Sequence, residues 1–258
     1  MLDAERRRKR LRTARNLAIP LVIVAVIFAV IQITKSDNSS SSSASTVKCV
    51  SRKPATPPKQ QTFPEAPPLT IDVNAQYSAV LHTSCGDVQI ALDAKQAPQS
   101  VNSFLYLAQN EFYNGTTFHR IVTDFVDQGG DPKGDGTGGP GYKLPDEPPK
   151  NGYKVGDVAL ANSGPGTSGS QFFLVVSTNG AKTLNGNGAP YKYSILGHMN
   201  ADGLRVAKKI NTFGSASEAG TPTKTLYVFD VGIIPPQGAT TTSAAPTTTA
   251  PPDTTLAP

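Results

Sequence analysis

Residues 161–177 read ANSGPGTSGSQFFLVVS, from Ala161 to Ser177. The first ten are Gly, Ser, Pro and Thr after an Ala-Asn start, a composition that makes a loop. The last seven, Gln171–Ser177, are apolar and β-branched enough for a short strand. Side chains alternate faces along a strand, so Gln171 and Phe173 share one face while Phe172 points the opposite way into a core.

Working outward, the same alternation recurs. Thr116–Val122 places Phe118 and Arg120 on one face and His119 on the other, where a buried structural histidine is expected. Phe125–Gly129, Val158–Asn162, Tyr193–His198 and Leu226–Ile234 are further strand candidates. Tyr77–Thr83 and Asp87–Asp93 flank a short turn and read as a hairpin. Pro98 opens a helical stretch in which Val101, Phe104, Leu105 and Ala108 recur at helical spacing, and Leu204, Ala207 and Ile210 suggest a second helix. Many short strands with two separated helices predict a mainly β domain over 70–235, a closed antiparallel β-barrel capped by two α-helices.

The rest of the chain reads differently. Residues 1–16 hold seven basic side chains against Asp3 and Glu5, which accounts for the whole net charge of +5; the other residues carry 17 basic and 17 acidic groups. No basic face remains for a phosphate backbone, which excludes nucleic acid as a partner. Leu17 to Ile33 is apolar except for Pro20 and Gln32. At ~1.5 Å per residue it spans roughly 25 Å, close to a ~30 Å hydrocarbon core. The expectation is a transmembrane signal-anchor over 17–35 behind a basic cytoplasmic leader, with the domain outside the cytoplasm at a cell membrane. A cleaved signal peptide has the same order of charge and apolar residues. Its apolar core is usually shorter, and no small-x-small site directly follows Ile33. Lys48 before Cys49 disfavours a lipoprotein. Residues 36–69 are rich in Ser and then Pro, and read as a flexible linker. Residues 236–258 are almost entirely Pro, Thr, Ala, Gly and Ser and cannot bury a core.

Cys49 and Cys85, the two cysteines of the chain, both follow the apolar run. Outside the cytoplasm thiols are usually oxidised, so they are candidates for a disulfide tying the linker to the domain, against the alternative of two free thiols. The glycine-rich run Gly129–Gly141 lacks the order of a phosphate loop, and Asp127, Asp131 and Asp135 are four apart rather than two as in a calcium loop. No nucleophile elbow is present. Neither a metal nor a cofactor is called for.

Three segments carry chemistry together: Phe118-His119-Arg120-Ile121, Phe125-Val126-Asp127-Gln128-Gly129-Gly130-Asp131, and Ala161–Phe173. With Gly136-Thr137-Gly138-Gly139 between them, they closely resemble the cyclophilin family, whose signature is FHR, F-x-x-QGGD, GTGG and A-N-x-GP-x-x-x-GSQFF. The resemblance covers roughly residues 75–234. It implies an eight-stranded antiparallel barrel with a helix over each end, filled by its own side chains so that the site lies on the outer surface. It implies peptidyl-prolyl cis-trans isomerase activity with Arg120 as the catalytic residue, Phe125 and Gln128 beside it, and proline-containing peptides or unfolded exported proteins as partners. Val126 and Phe173 would complete the proline pocket. Ala161, Asn162 and Gln171 would lie along the peptide, with Gly136 and Thr137 in the adjoining loop and Leu184 and Tyr193 in the pocket wall. A proline-peptide receptor or chaperone using the same groove, with incidental turnover, is the alternative.

The chain departs from the family in one wall. Thr183 stands where many cyclophilins carry Trp, and in the family that Trp supports binding of the cyclic peptide cyclosporin. The resemblance therefore does not carry cyclosporin binding to this chain. Tyr193 stands where His is frequent, the loop Gly186–Lys192 is longer than the common form, and Ser163 replaces a usual Ala.

Overall fold

The computed structural model describes residues 47–186 and 192–236. The basic leader, the expected anchor over 17–35, the first part of the linker and nearly all of the 236–258 tail lie outside the described residues. Among the described residues, no helix is long and apolar enough to cross a membrane.

Eight strands form one antiparallel sheet: β1 (Ser78–Thr83), β2 (Gly86–Leu92), β3 (Arg120–Val122), β4 (Val126–Gly129), β5 (Asp157–Leu160), β6 (Phe172–Val175), β7 (Ile195–Met199) and β8 (Val228–Ile234). Their order across the sheet is β3-β4-β6-β5-β7-β2-β1-β8. The sheet curls into a half-barrel and not the closed barrel expected, because its end strands β3 and β8 are not paired with each other. The segments preceding them bridge the seam. Phe118 N donates to Leu226 O at 3.0 Å, Val228 N to Thr116 O at 2.8 Å, and Thr117 bridges Tyr227. The strand expected over Thr116–Val122 is therefore two pieces: 116–118 lies against 226–228 at the start of β8, and 120–122 pairs with β4. The break ends the alternation, so Phe118 turns into the main core and does not share a face with Arg120 as expected.

Three helices accompany the sheet among the described residues: α1 (Pro98–Gln109), α2 (Thr178–Leu184) and α3 (Ala201–Asn211). The sequence predicted α1 and α3. Pro98 stands in the first turn of α1, where its missing N–H costs nothing, and Glu147 accepts from the free N–H groups of Gln99 and Ser100. Asn200 caps α3 by accepting from Gly203 N at 2.7 Å. The unexpected α2 starts at Ser177, whose hydroxyl accepts from Gly180 N at 2.8 Å. Ser177 is thus a helix cap and not the end of a strand.

Alternation divides the apolar residues between two faces. Leu81, Ile90, Ile121, Phe172 and Leu174 point into the main core with Phe104, Phe112, Tyr113 and Phe118. Val126, Phe173 and Val175 point outward and build a smaller second cluster. Phe172 lies edge-on to Phe104, Tyr113 and Phe118 at centroid distances of 6.4, 5.9 and 6.4 Å, the arrangement aromatic quadrupoles favour.

The linker expected to be a tether is packed from residue 47 onward. Cys49 and Cys85 are joined by a disulfide, and Val50 N donates to Ser84 O at 2.7 Å. Phe63 inserts among Tyr106, Phe112 and Tyr142. Asn102 donates to the carbonyls of Pro67 and Pro68. Apolar periodicity missed this strap because it binds through single residues rather than a continuous face.

Candidate functional site

The outer face of the curled sheet aligns the candidate residues by register. Arg120 on β3 pairs with Gln128 on β4, Gln128 with Phe173 on β6, and Phe173 with Ala159 on β5. Directly opposed residues share a face, so one row crosses four strands from a guanidinium to an apolar surface.

The polar end of the row is a hydrogen-bonded chain. Arg120 Nε donates to Glu218 O at 2.9 Å, and Arg120 Nη1 donates to Gln128 Oε1 at 3.3 Å. Gln128 Nε2 donates to Gln171 Oε1 at 2.9 Å. Gln171 Nε2 donates to the carbonyls of Gly136 and Gly138 at 2.9 and 3.0 Å. Arg120 is half-buried, and among the described residues two of its five N–H donors are engaged. Its guanidinium is thus oriented with donors to spare.

The loop carrying Gly136 and Thr137 is itself tied down. Buried Asp131 accepts from the backbone N–H groups of Lys133, Asp135 and Gly136. Thr137 donates to Asp135, which holds the Asp135 carboxyl below the usual carboxylate range.

The apolar end of the row gathers six of the expected residues. Val126 and Phe173 are 3% and 5% exposed, and Phe125, Ala161, Leu184 and Tyr193 pack around them. Tyr193 meets Phe173 edge-on at 5.2 Å. Tyr153 fixes Tyr193 from behind: its hydroxyl donates to Tyr193 O at 2.9 Å and accepts from Tyr193 N at 2.8 Å. Burial pushes the Tyr153 phenol up to about 12, so it stays protonated and can do both. Nothing in the sequence singled out Tyr153.

Asn162 lies beside this cluster, and its side chain donates to Lys192 O at 2.8 Å. Thr183 on α2 is exposed, and its hydroxyl donates to Asn179 O at 2.9 Å. A depression of about 530 Å³ adjoins the cluster; Gln128 of the row lines it, with Ala161, Asn162 and Gln171.

Two positions that hold Arg120 escaped the sequence reading. Glu218 supplies a carbonyl from 98 residues away. Gly220 has φ +61°, and a Cβ there would lie 2.8 Å from Arg120 Cγ, so any side chain would displace the arginine stem. His119 is half-buried, and burial lowers its imidazole below the ordinary value. Asp127, facing inward on β4, is fully buried. Burial pushes its carboxyl well above the carboxylate range, while Asn211 donates to it at 2.7 Å.

Similarity to known proteins agrees with this geometry. Residues 78–233, well over half of the chain, match the family model described as cyclophilin type peptidyl-prolyl cis-trans isomerase/CLD. A probable peptidyl-prolyl cis-trans isomerase B of Mycobacterium tuberculosis is 38% identical over 175 residues, covering 61% of this chain and 54% of that one. The chain thus spans about half the length of that curated relative. A peptidyl-prolyl cis-trans isomerase B of Streptomyces anulatus is 41% identical over 147 residues, covering 50% of this chain and 80% of that one. A Cryptosporidium parvum cyclophilin type isomerase, solved in the presence of the dipeptide Ala-Pro, superposes with a TM-score of 0.51 at 26% identity, over 61% of this chain and 98% of that chain. The fold, the order of the motifs and the extent of the match together place this chain in the cyclophilin family.

Proposed function

We propose that this chain is a peptidyl-prolyl cis-trans isomerase in which Arg120 hydrogen-bonds the prolyl nitrogen of a twisted X–Pro amide. The observation that carries the reading is the register Arg120–Gln128–Phe173, which sets an oriented guanidinium on the same sheet face as an apolar surface two strands away.

The X–Pro bond has partial double-bond character and a barrier of about 18–20 kcal/mol. Lowering it requires a group that favours the twisted bond over the planar one. When the amide twists, its nitrogen becomes pyramidal and regains a lone pair. Arg120 donates to that lone pair only in the twisted state, so the interaction stabilises the transition state and not the bound substrate. Phe125, Val126 and Phe173 hold the ring, with Leu184 and Tyr193 behind it. The preceding carbonyl rotates while Ala161, Asn162 and Gln171 line the peptide. Gln128 and the Glu218 carbonyl keep the guanidinium aimed. No metal or cofactor is needed for these steps.

The substrates of this reading are proline-containing segments of unfolded or exported proteins outside the cytoplasm, with the chain tethered through residues 17–35. The basic leader before the apolar run and the paired Cys49 and Cys85 support that placement. Protease added to intact spheroplasts should then degrade the domain, and protection of the domain would contradict the placement. The activity itself is tested by protease-coupled isomerisation of an X–Pro peptide with wild type and Arg120→Ala.

A further inference from the structure

The last turn of α3 is fastened to the hairpin β3–β4 by one side chain. Asn211, the final residue of α3, is buried. Its Oδ1 accepts from Asp124 N at 2.9 Å. Its Nδ2 donates to Val122 O at 3.0 Å and to Asp127 Oδ1 at 2.7 Å. A single carboxamide therefore holds the end of β3, the turn after it and the middle of β4, with both N–H donors engaged.

Two parts of the candidate site hang from this anchor. The first is the turn. Asp124 has φ +57°, a left-handed backbone that a non-glycine residue keeps only where its surroundings hold it. Asn211 holds its N–H, and Ser177 Oγ donates to its carbonyl at 2.7 Å. Phe125 follows directly, so the turn places its ring. The second is the loop after α3. Gly214 N donates to Asn211 O at 3.0 Å, Ser215 N donates to Ile121 O at 3.1 Å, and Ser215 O accepts from Thr123 N at 2.9 Å. Three residues further on, Glu218 O accepts from Arg120 Nε. The guanidinium and the Phe125 ring are thus both referred to Asn211.

Packing gives no reason for an acid at position 127. Asp127 faces inward between Ile121 and Leu174 of the flanking strands, and its Oδ2 has no hydrogen-bond partner among the described residues. A buried, half-satisfied carboxyl costs stability that a leucine there would not. Burial pushes it well above the carboxylate range, which favours the neutral acid. What this side chain supplies is the acceptor that orients Asn211.

We propose that Asn211, oriented by Asp127, is a positioning residue for isomerisation that fixes Arg120 and Phe125 relative to each other. The proposal rests on the isomerase reading. A displacement of ~1 Å at a reacting centre costs up to ~100-fold in rate, so loosening this anchor reaches turnover as well as stability.

The test measures kcat and KM on an X–Pro peptide with the full chain, each variant at a temperature where circular dichroism shows it folded. Asn211→Leu and Asp127→Leu should each lower kcat at least tenfold. The double variant should lose no more than the larger single loss, because Asp127 acts through Asn211. Asp127→Asn, which keeps a neutral acceptor, should recover most of what Asp127→Leu loses. The 15N resonance of Arg120 Nε, assigned by its absence from Arg120→Ala, should shift in both leucine variants. Variants that melt lower but keep the wild-type kcat overturn the positioning role. So do losses that add in the double variant, or an Asp127→Asn no better than Asp127→Leu. If Asn211→Leu does not fold, the two Asp127 variants decide by the same comparison. A wild type that binds the peptide without turning it over overturns the isomerase reading. A shifted Arg120 resonance then keeps the anchor, and an unmoved one overturns both.

Discussion

Arg120 and Gln128 stand directly opposite each other on β3 and β4, and the guanidinium donates to the Gln128 carboxamide at 3.3 Å. Gln128 in turn donates to Gln171, which holds the glycine-rich loop. The arginine is therefore aimed by a chain of side chains on neighbouring strands and by one carbonyl from a distant loop. In the proposed mechanism that aim matters, because a donor already held in place needs no reorganisation as the amide twists.

Gln128 should act through position. A hydrogen bond to a charged group contributes about 1.5–3 kcal/mol, and ~1.4 kcal/mol is tenfold in rate. Gln128→Ala should lower kcat roughly tenfold or more with little change in KM. Gln128→Glu, which keeps an acceptor for Arg120 but loses the donor to Gln171, should fall between. Steady-state kinetics on one X–Pro peptide checks both.

Phe173 should affect both binding and stability. It is 5% exposed and meets Tyr193 edge-on. Truncating a buried Phe to Ala costs about 3–5 kcal/mol. Phe173→Ala should therefore lower the denaturant midpoint and weaken peptide binding together. Phe173→Leu, which keeps more of the volume, should separate them: KM rises while the midpoint moves less.

How much of this was legible in the sequence depended on the kind of contact. β1 and β2 were readable because one face is buried, and alternation along Ser78–Thr83 and Gly86–Leu92 follows from that. The outer cluster was readable through the same period, since Phe172 and Phe173 must face opposite ways. Motif resemblance added the chemistry of Arg120. α2 was not legible: it has seven residues, and Gly180 sits in it where a Cβ would lie 2.4 Å from Phe125 O. Its glycine signals a loop in sequence but serves close packing in the fold. Of the strap, only the Cys49–Cys85 tie was legible, from the two cysteines of the chain; the rest was hidden because Phe63 is an isolated apolar residue in a polar, Pro-rich stretch. The carbonyl of Glu218 could not be read at all, since backbone groups carry no sequence signal.

The disulfide should stabilise the domain. It closes residues 36 apart in sequence. Loop-closure entropy for that length corresponds to about 4 kcal/mol, an upper figure because reduced chains retain structure. Cys49→Ser, or reductant on the wild type, should lower the melting temperature. Equal melting temperatures with and without reductant would remove the bridge from the stability account.

Stability should also depend on pH through His198. Its Nδ1 lies 2.7 Å from Asp157 Oδ1 across β7 and β5. The bond to Asp157 raises the imidazole above its ordinary value of 6.5, opposed by burial. A folded-state value above the unfolded one means the charged form stabilises the fold. That contribution is complete below about pH 6.5 and disappears as pH rises through the raised value. Half of the His198 side chain is exposed, so solvent screens much of the effect. His198→Gln should therefore be destabilising at pH 5.5 relative to wild type, and less so at pH 8.5, in chemical denaturation at the two pH values.

The most direct test of the central claim is the isomerisation rate of an X–Pro peptide with wild type and with Arg120→Ala. Removing a donor that acts only in the transition state costs about 10²–10³ in kcat. The account predicts a loss of that size with KM nearly unchanged and the fold intact by circular dichroism. A wild type that does not accelerate the reaction, or an Arg120→Ala variant with full activity, would contradict it.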